Sequence, residues 1–413
     1  MKTCTVFAIA LLAAAGLFAE DPAIEDGTAK NGVTYCLRRP ARFDPKKGAP
    51  AIVILHGSNM NSKDYVRTIV EAWPNLAEAY VLIGVNGENR VKESPDDHPA
   101  YNYTYVDFVG KSRYKGYPGT DRESPALVSE VIEEVQGEIK LTKVFVGGHS
   151  QGGFLAYSLF MNYPDLFAGA FPISAGLIMQ CEPTAYVDAD LRARQRKVAV
   201  AIVHGENDPA VDFEMGRSAY ESFGDDGFPR LRLFTDPRAG HMFGRLPVDQ
   251  AIEWLEALTS DDPAALLDFA ATRAAAGEYR DATAALLRSR ELDTEHRLAK
   301  KRKPIEDKIE KEAAPKAKEL AAAIVAAKDG GWVEEFLQFR AKFEFAYGAT
   351  EVMAAYRALR ARHQGPAERL WGEARQAWQD GRDDEATGKC REIVEKQFAS
   401  SYYRYAKQAR EGK

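Results

Sequence analysis

A serine between glycines, an aspartate and a late histidine are the residues of this sequence whose types and order suit a single reaction. Ser150 lies in Gly148-His149-Ser150-Gln151-Gly152, behind the apolar run Val144-Phe145-Val146 and ahead of the helical stretch 154–162. A strand turning sharply into a helix pushes the serine hydroxyl outward, and small neighbours let the flanking backbones pass. The helix N-terminus behind it favours developing negative charge. Asp208 follows the apolar run 198–203 in His204-Gly205-Glu206-Asn207-Asp208, and His241 follows 230–234 in Arg238-Ala239-Gly240-His241. Nucleophile, acid and base thus occur in the order Ser150, Asp208, His241, each in a loop after a strand. His241 would take the serine proton, while Asp208 would hold its tautomer and stabilise the imidazolium.

Acyl transfer by such a serine also needs two backbone N–H groups aimed at the tetrahedral oxyanion. Gln151, directly after the serine, supplies one. A second apolar run, 52–55, ends in His56-Gly57-Ser58-Asn59, and the other donor is expected at Ser58, with Asn59 as the alternative. The rivals for the acid are Glu206 and, more weakly, Asp212. Among the seven histidines, His149 is expected to point away from the serine, and His56 and His204 to brace their loops. His98 lies in a long loop within reach of the site, while His296 and His363 fall in the C-terminal region. The histidines lack metal-site spacing, and no glycine-rich dinucleotide or phosphate loop is present, so neither a metal nor a cofactor is expected.

These residues need a frame that gathers them. Strands are expected over 51–55, 80–85, 143–146, 168–173, 198–203 and 230–234, all short and apolar, as parallel strands covered on both faces are. Helices are expected between them over 62–72, 126–136, 152–162, 215–223 and 247–258. The alternation predicts an α/β fold whose mostly parallel sheet carries helices on both faces and all three residues at the strands' carboxyl ends. After Thr259 strand formers thin out and alanine becomes frequent. Helices are expected over 263–275, 279–290, 294–316 (as a solvated helix), 318–327, 333–343, 350–362, 366–380, 384–398 and 402–410. The glycine turns at 276–282 and 380–386 resemble one another and the bend of a tetratricopeptide hairpin.

With these motifs in hand, residues 32–258 resemble a serine α/β-hydrolase of the compact esterase type. The feruloyl esterase, polyhydroxybutyrate depolymerase, dienelactone hydrolase and phospholipase/carboxylesterase groups are the most similar. Leu55-His56-Gly57, Gly148-His149-Ser150-Gln151-Gly152, His204-Gly205-Glu206-Asn207-Asp208 and Gly240-His241 match four family blocks in order. The elbow and acid loop hold no cysteine, unlike the thiol nucleophile of dienelactone hydrolases. The resemblance implies carboxylic-ester hydrolysis through an acyl-enzyme, on carbohydrate-linked, aryl or other small esters; a peptidase with the same triad is the alternative. A third reading makes the hydrolase vestigial and gives the work to the helical region as a scaffold.

The long connection 87–126 carries Tyr101, Tyr103, Tyr105, Phe108, Tyr114 and Tyr117, and tyrosine offers an apolar ring with a polar tip. Tyr101, Tyr103 and Asn59 are therefore expected to touch substrate, together with Met179 from the short segment 174–197. Lys2, the apolar run 6–19 and the break at Glu20-Asp21 read as an export signal over 1–19, implying a secreted or periplasmic protein. The hydrolase domain is expected over 20–259 and the helical domain over 260–413. The polar junction at 259–263 predicts that the first domain keeps activity without the second, which would then dock a protein or surface partner. A net charge of −6 speaks against a nucleic-acid partner, and after residue 19 no apolar run is long enough to span a bilayer. Cys36, Cys181 and Cys390 allow one disulfide, whose pairing stays open.

Overall fold

The computed structural model describes residues 24–103, 124–177, 189–400, 402–403 and 406–407. The expected signal, Met179, Cys181 and the tyrosine-rich segment after Tyr103 lie outside them. Eight strands form one sheet in the order β1-β2-β4-β3-β7-β8-β9-β10. They are β1 (Ile24–Thr28), β2 (Thr34–Arg38), β3 (Ala49–Leu55), β4 (Val81–Val85), β7 (Leu141–His149), β8 (Gly169–Ile173), β9 (Ala199–Gly205) and β10 (Leu231–Asp236). From β4 to β10 all neighbours pair in parallel; β2 pairs antiparallel with β1 and β4. A small ribbon, β5 (Asn89–Arg90) with β6 (Tyr101–Asn102), stands beside the sheet.

The strands β3, β4, β8 and β9 are buried almost throughout, and alternate residues feed two cores. Ile52 and Ile54 face α1 (Ser62–Ala72) and α7 (Val248–Leu258). Val53 and Leu55 face α3 (Ser124–Glu138), α4 (Gln151–Asn162) and α6 (Phe213–Asp225). Helices α2 (Pro74–Ala79) and α5 (Ala189–Gln195) complete this half.

The rest is helical: α8 (Pro263–Ala275), α9 (Tyr279–Leu292), α10 (Ala299–Val325), α11 (Val333–Phe343), α12 (Thr350–Gln379) and α13 (Asp383–Lys396). Two expected pairs of helices are continuous. Pro315 lies inside α10 and Pro366 inside α12. Proline removes one ladder hydrogen bond, but α10 buries Ile309, Ala313, Ala317, Leu320, Ala321 and Ile324 along one stripe, and that burial carries the helix across the break. Within the charged stretch 294–316 itself most residues are exposed, as expected of a solvated helix, and only Arg302, Ile309 and Ala313 are buried. Gly277 and Gly381, at the α8–α9 and α12–α13 turns, both have left-handed φ, 78° and 75°. The helical half meets the sheet through α7: Trp254, Leu255 and Leu258 share a core with Leu266, Leu267, Ala282 and Leu286.

Candidate active site

Ser150 stands between the last residue of β7 and the first of α4, at φ 55° and ψ −117°. A non-glycine residue held there stores on the order of 1–3 kcal/mol of backbone strain. The turn is over-determined: the Ser150 N–H donates to the Ile173 carbonyl at 2.9 Å, and α4 starts at once, with the Gly153 and Phe154 N–H groups donating to the Ser150 carbonyl. The flanking glycines are required by close approach. A Cβ on Gly148 would stand 2.2 Å from the Gly152 oxygen, and one on Gly152 would stand 2.4 Å from the Leu55 oxygen.

Asp208 occupies the loop after β9. Its Oδ1 accepts from the N–H groups of Ala210 and Val211, both at 2.9 Å, and its Oδ2 accepts from His241 Nδ1 at 2.7 Å. His204 Nε2 lies 3.5 Å from the same Oδ2. Burial works to raise the Asp208 pKa, but bonds from His204, His241 and the Val211 N–H outweigh it and hold the carboxyl well below the usual range. With Nδ1–H of His241 committed to this carboxylate, Nε2 is the nitrogen left to exchange a proton. Asp212 is spent capping α6 through the Glu214 N–H, and Glu206 is exposed. His98 sits on Asp64 at 3.2 Å, 62% exposed.

Expected to point away from the serine, His149 is buried, with its side chain turned toward His241. Its Nε2 donates to the His241 carbonyl at 2.7 Å, its Nδ1 accepts from the Tyr65 hydroxyl at 2.7 Å, and its ring lies 4.5 Å from that of His241. Burial first, then the neighbouring His241, lowers its pKa to about 3, so it is a neutral strut with a fixed tautomer. It ties the residue next to Ser150 to the backbone of His241. Tyr65 was not legible as a site residue; its helical spacing marked only the buried face of α1.

The loop after β3 is braced in the same manner. His56, held neutral by burial with a pKa near 4, donates from Nδ1 to the Gly57 carbonyl at 2.7 Å and accepts at Nε2 from the Gly87 N–H at 3.0 Å. Tyr103 stacks on it at 4.5 Å, and its hydroxyl accepts from the His56 N–H and donates to the Val85 carbonyl. Tyr103 also exchanges two bonds with the Gln151 side chain, at 3.2 and 3.3 Å. At 1% exposure its ring is a brace beneath the loops, which corrects the expectation of a substrate-facing tyrosine. Tyr101 is half-exposed, with its N–H on the Met60 carbonyl at 2.7 Å. Asn59, at φ 59°, donates its N–H to Asn102 Oδ1 at 3.0 Å, which commits the alternative oxyanion donor elsewhere. Gln151 is the first residue of α4, where an N–H has no partner within the helix.

Residues 45–226 match the phospholipase/carboxylesterase family. This segment belongs to that family. The frame around it is the α/β-hydrolase fold. The match includes Ser150 and Asp208; His241 lies beyond it, so its place in the site rests on its bond to Asp208. Acyl-protein thioesterase 1 of Aspergillus fumigatus is 20% identical over 151 residues, which are 37% of this chain and 62% of the thioesterase. The chain therefore spans about six tenths of the length of that curated relative. Among solved structures, acyl-protein thioesterase 2 of Zea mays is 18% identical with a TM-score of 0.41, covering 55% of this chain and 99% of that one. Acetyl xylan esterase of Aspergillus awamori is 14% identical with a TM-score of 0.39, covering 56% of this chain and 98% of that one. Among the described residues no cluster of His, Cys, Asp or Glu is arranged to hold a metal, and no helix is long and apolar enough to cross a membrane.

Proposed function

We propose that this chain is a serine hydrolase that cleaves carboxylic esters through an acyl-enzyme. The observation that carries the reading is the 2.7 Å bond from His241 Nδ1 to a buried Asp208 carboxylate, on a loop tied through His149 to the strained Ser150 elbow. His241 Nε2 removes the Ser150 proton as Oγ attacks the ester carbonyl, and Asp208 stabilises the imidazolium. The N–H groups of Gln151 and Ser58 receive the oxyanion. His241 then returns the proton to the departing alkoxide, and a water activated by the same nitrogen releases the acid.

Small aryl or carbohydrate-linked esters remain the proposed substrates, and the thioesterase likeness adds thioesters to the panel worth testing. Labelling by a fluorophosphonate probe that disappears in Ser150→Ala is expected. Absence of labelling in folded protein would sink the enzyme reading in favour of a vestigial hydrolase. Matched ester and amide substrates separate esterase from peptidase. The segment 6–19 supports export, which a mature N-terminus found near residue 20 would bear out.

A further inference from the structure

At the opposite end of the sheet from Ser150, the strands begin against the helical half. A cleft of about 810 Å³ opens there, lined by the starts of β7 and β9, the residues before β10, the α7–α8 junction and α9. Its basic side chains include Arg196, Lys197, Arg230 and Arg288. The volume falls in the range of small-molecule sites, ~300–1,000 Å³.

Arg230 is the informative residue. Among the described residues five arginines are buried, and four have a carboxylate partner. Arg38 pairs with Glu78, Arg280 with Glu344, Arg302 with Asp293, and Arg340 with Asp225 and Glu344. Arg230, 7% exposed, bonds only to neutral carbonyls, those of Leu258 and Lys197. A buried charge is costly unless paired, so this guanidinium is the exception in a protein that otherwise pairs them. Burial and then the nearby Arg288 lower its pKa to about 10, against a smaller opposing effect of Glu291. Among the described residues Arg196 and Lys197 hold no carboxylate within ion-pair distance, and the Nε atoms of Arg196 and Arg288 are buried without a hydrogen-bond partner. The acidic lining does not cancel this charge. Asp165 is held by Arg194, outside the cleft, while Asp261 and Glu291 are both held by Arg288.

We propose that this cleft is a second ligand site, taking the phosphate group of a small phosphorylated molecule. Guanidinium groups match the oxygens of phosphate in planar, two-point geometry. A dianion here completes Arg230, engages the idle donors of Arg196 and Arg288, and links the sheet to α9 of the helical half. The site is remote from the proposed ester chemistry and stands whether or not that chemistry is correct.

The test is calorimetric titration of the full chain with inorganic phosphate, against chloride at matched ionic strength and against acetate. One saturable site is expected, absent with chloride and at least tenfold weaker with acetate. Arg196→Gln/Lys197→Gln neutralises two cations that make no ion pair among the described residues; with the fold checked by circular dichroism, phosphate affinity should fall about tenfold. Arg230→Lys, which keeps the charge but loses the fork, should weaken binding as well. No saturable heat beyond chloride, equal binding of acetate, or unchanged affinity in the double variant would each overturn the proposal.

Discussion

Asp208 and Asp225 are both aspartates with buried side chains, one in the loop after β9 and one at the end of α6, and their partners differ in kind. Asp208 faces His241 and His204 and two backbone N–H groups. Asp225, 5% exposed, faces Arg340 from α11, Arg360 from α12 and the Tyr356 hydroxyl at 3.5 Å. Guanidinium stays charged at any working pH, so the second arrangement is a permanent clasp between the two halves. Imidazole can take and return a proton, so the first can change state within a reaction cycle. Backbone strain follows a similar division. Among non-glycine residues Asn59, Ser150 and Ser174 hold positive φ in loops after strands, whereas in the described helical half only His296, in the turn before α10, does so. Strain of this sort gathers where geometry is needed for more than packing.

The sharpest way to break the comparison is at the reactive aspartate and its partners. Ser150→Ala and His241→Ala are each expected to lower kcat by about 10⁴–10⁶ on a small activated ester, with the double variant losing little more, because such groups act as a unit. Asp208→Asn should cost about 10⁴ by presenting the wrong tautomer partner. Circular dichroism should show an unchanged fold. Near-normal turnover in His241→Ala would mean that the base is another residue.

At the structural aspartate the opposite outcome is expected. Arg340→Ala leaves Asp225 and Glu344 short of a buried partner, a loss of about 3–5 kcal/mol and a fall in Tm on the order of 10 °C. The kcat of folded enzyme should stay within about twofold. A chain ending near Ser260 sharpens this further. It bares Trp254, Leu255 and Leu258 and strands Asp225, yet keeps the loops that carry Ser150, Asp208 and His241 at the far end of the sheet. Its Tm should fall further than that of Arg340→Ala, while turnover per folded molecule persists. Loss of turnover in folded truncated protein would show that the helical half completes the substrate site.

The separability expected from the polar junction at 259–263 therefore has to be restated. Local composition reports a turn there, but Arg340 and Asp225 are 115 residues apart, and nothing in their neighbourhoods announces the pair. Short apolar strands, the glycine-flanked serine and the helices 62–72, 263–275 and 333–343 were legible because period and punctuation are local. The antiparallel strands β1 and β2 were not. Ile-Glu-Asp-Gly-Thr is an edge strand with mostly outward residues, and such a segment reads as loop. Tyr65 and Tyr103 escaped for a similar reason: their contribution is a hydroxyl reaching a distant loop, which spacing does not encode.

A third test uses pH. His56 and His149 are buried neutral, with pKa values lowered from 6.5 to about 4 and about 3. Below pH 6.5 the unfolded chain binds protons at both that the folded chain refuses, so stability is complete above that value and declines as pH falls toward 4. The slope is at most about 3 kcal/mol per pH unit for the two together. Denaturation midpoints measured from pH 7 to 4.5 should fall accordingly, and His149→Gln should flatten the curve.

The smallest effect is expected at Tyr65. Its hydroxyl donates to His149 Nδ1, and His149 Nε2 holds the carbonyl of His241, so Tyr65 acts on the base through one intermediate. Tyr65→Phe preserves the ring packed 5.0 Å from Phe243 and removes the hydroxyl, with its bonds to His149 and to the Gly57 backbone. A buried acceptor left without its partner costs about 1–3 kcal/mol, and without the Tyr65 donor nothing on that side fixes the His149 tautomer. A change of tautomer would take the proton from Nε2 and set two acceptors against each other at the His241 carbonyl. The base would then be held less firmly, and a fall in kcat of about threefold to tenfold is expected, with KM nearly unchanged because no substrate contact is lost. A purely packing role for Tyr65 would lower Tm and leave kcat alone. A shift confined to KM would instead place its hydroxyl against substrate, and His149 would no longer be the path by which it acts.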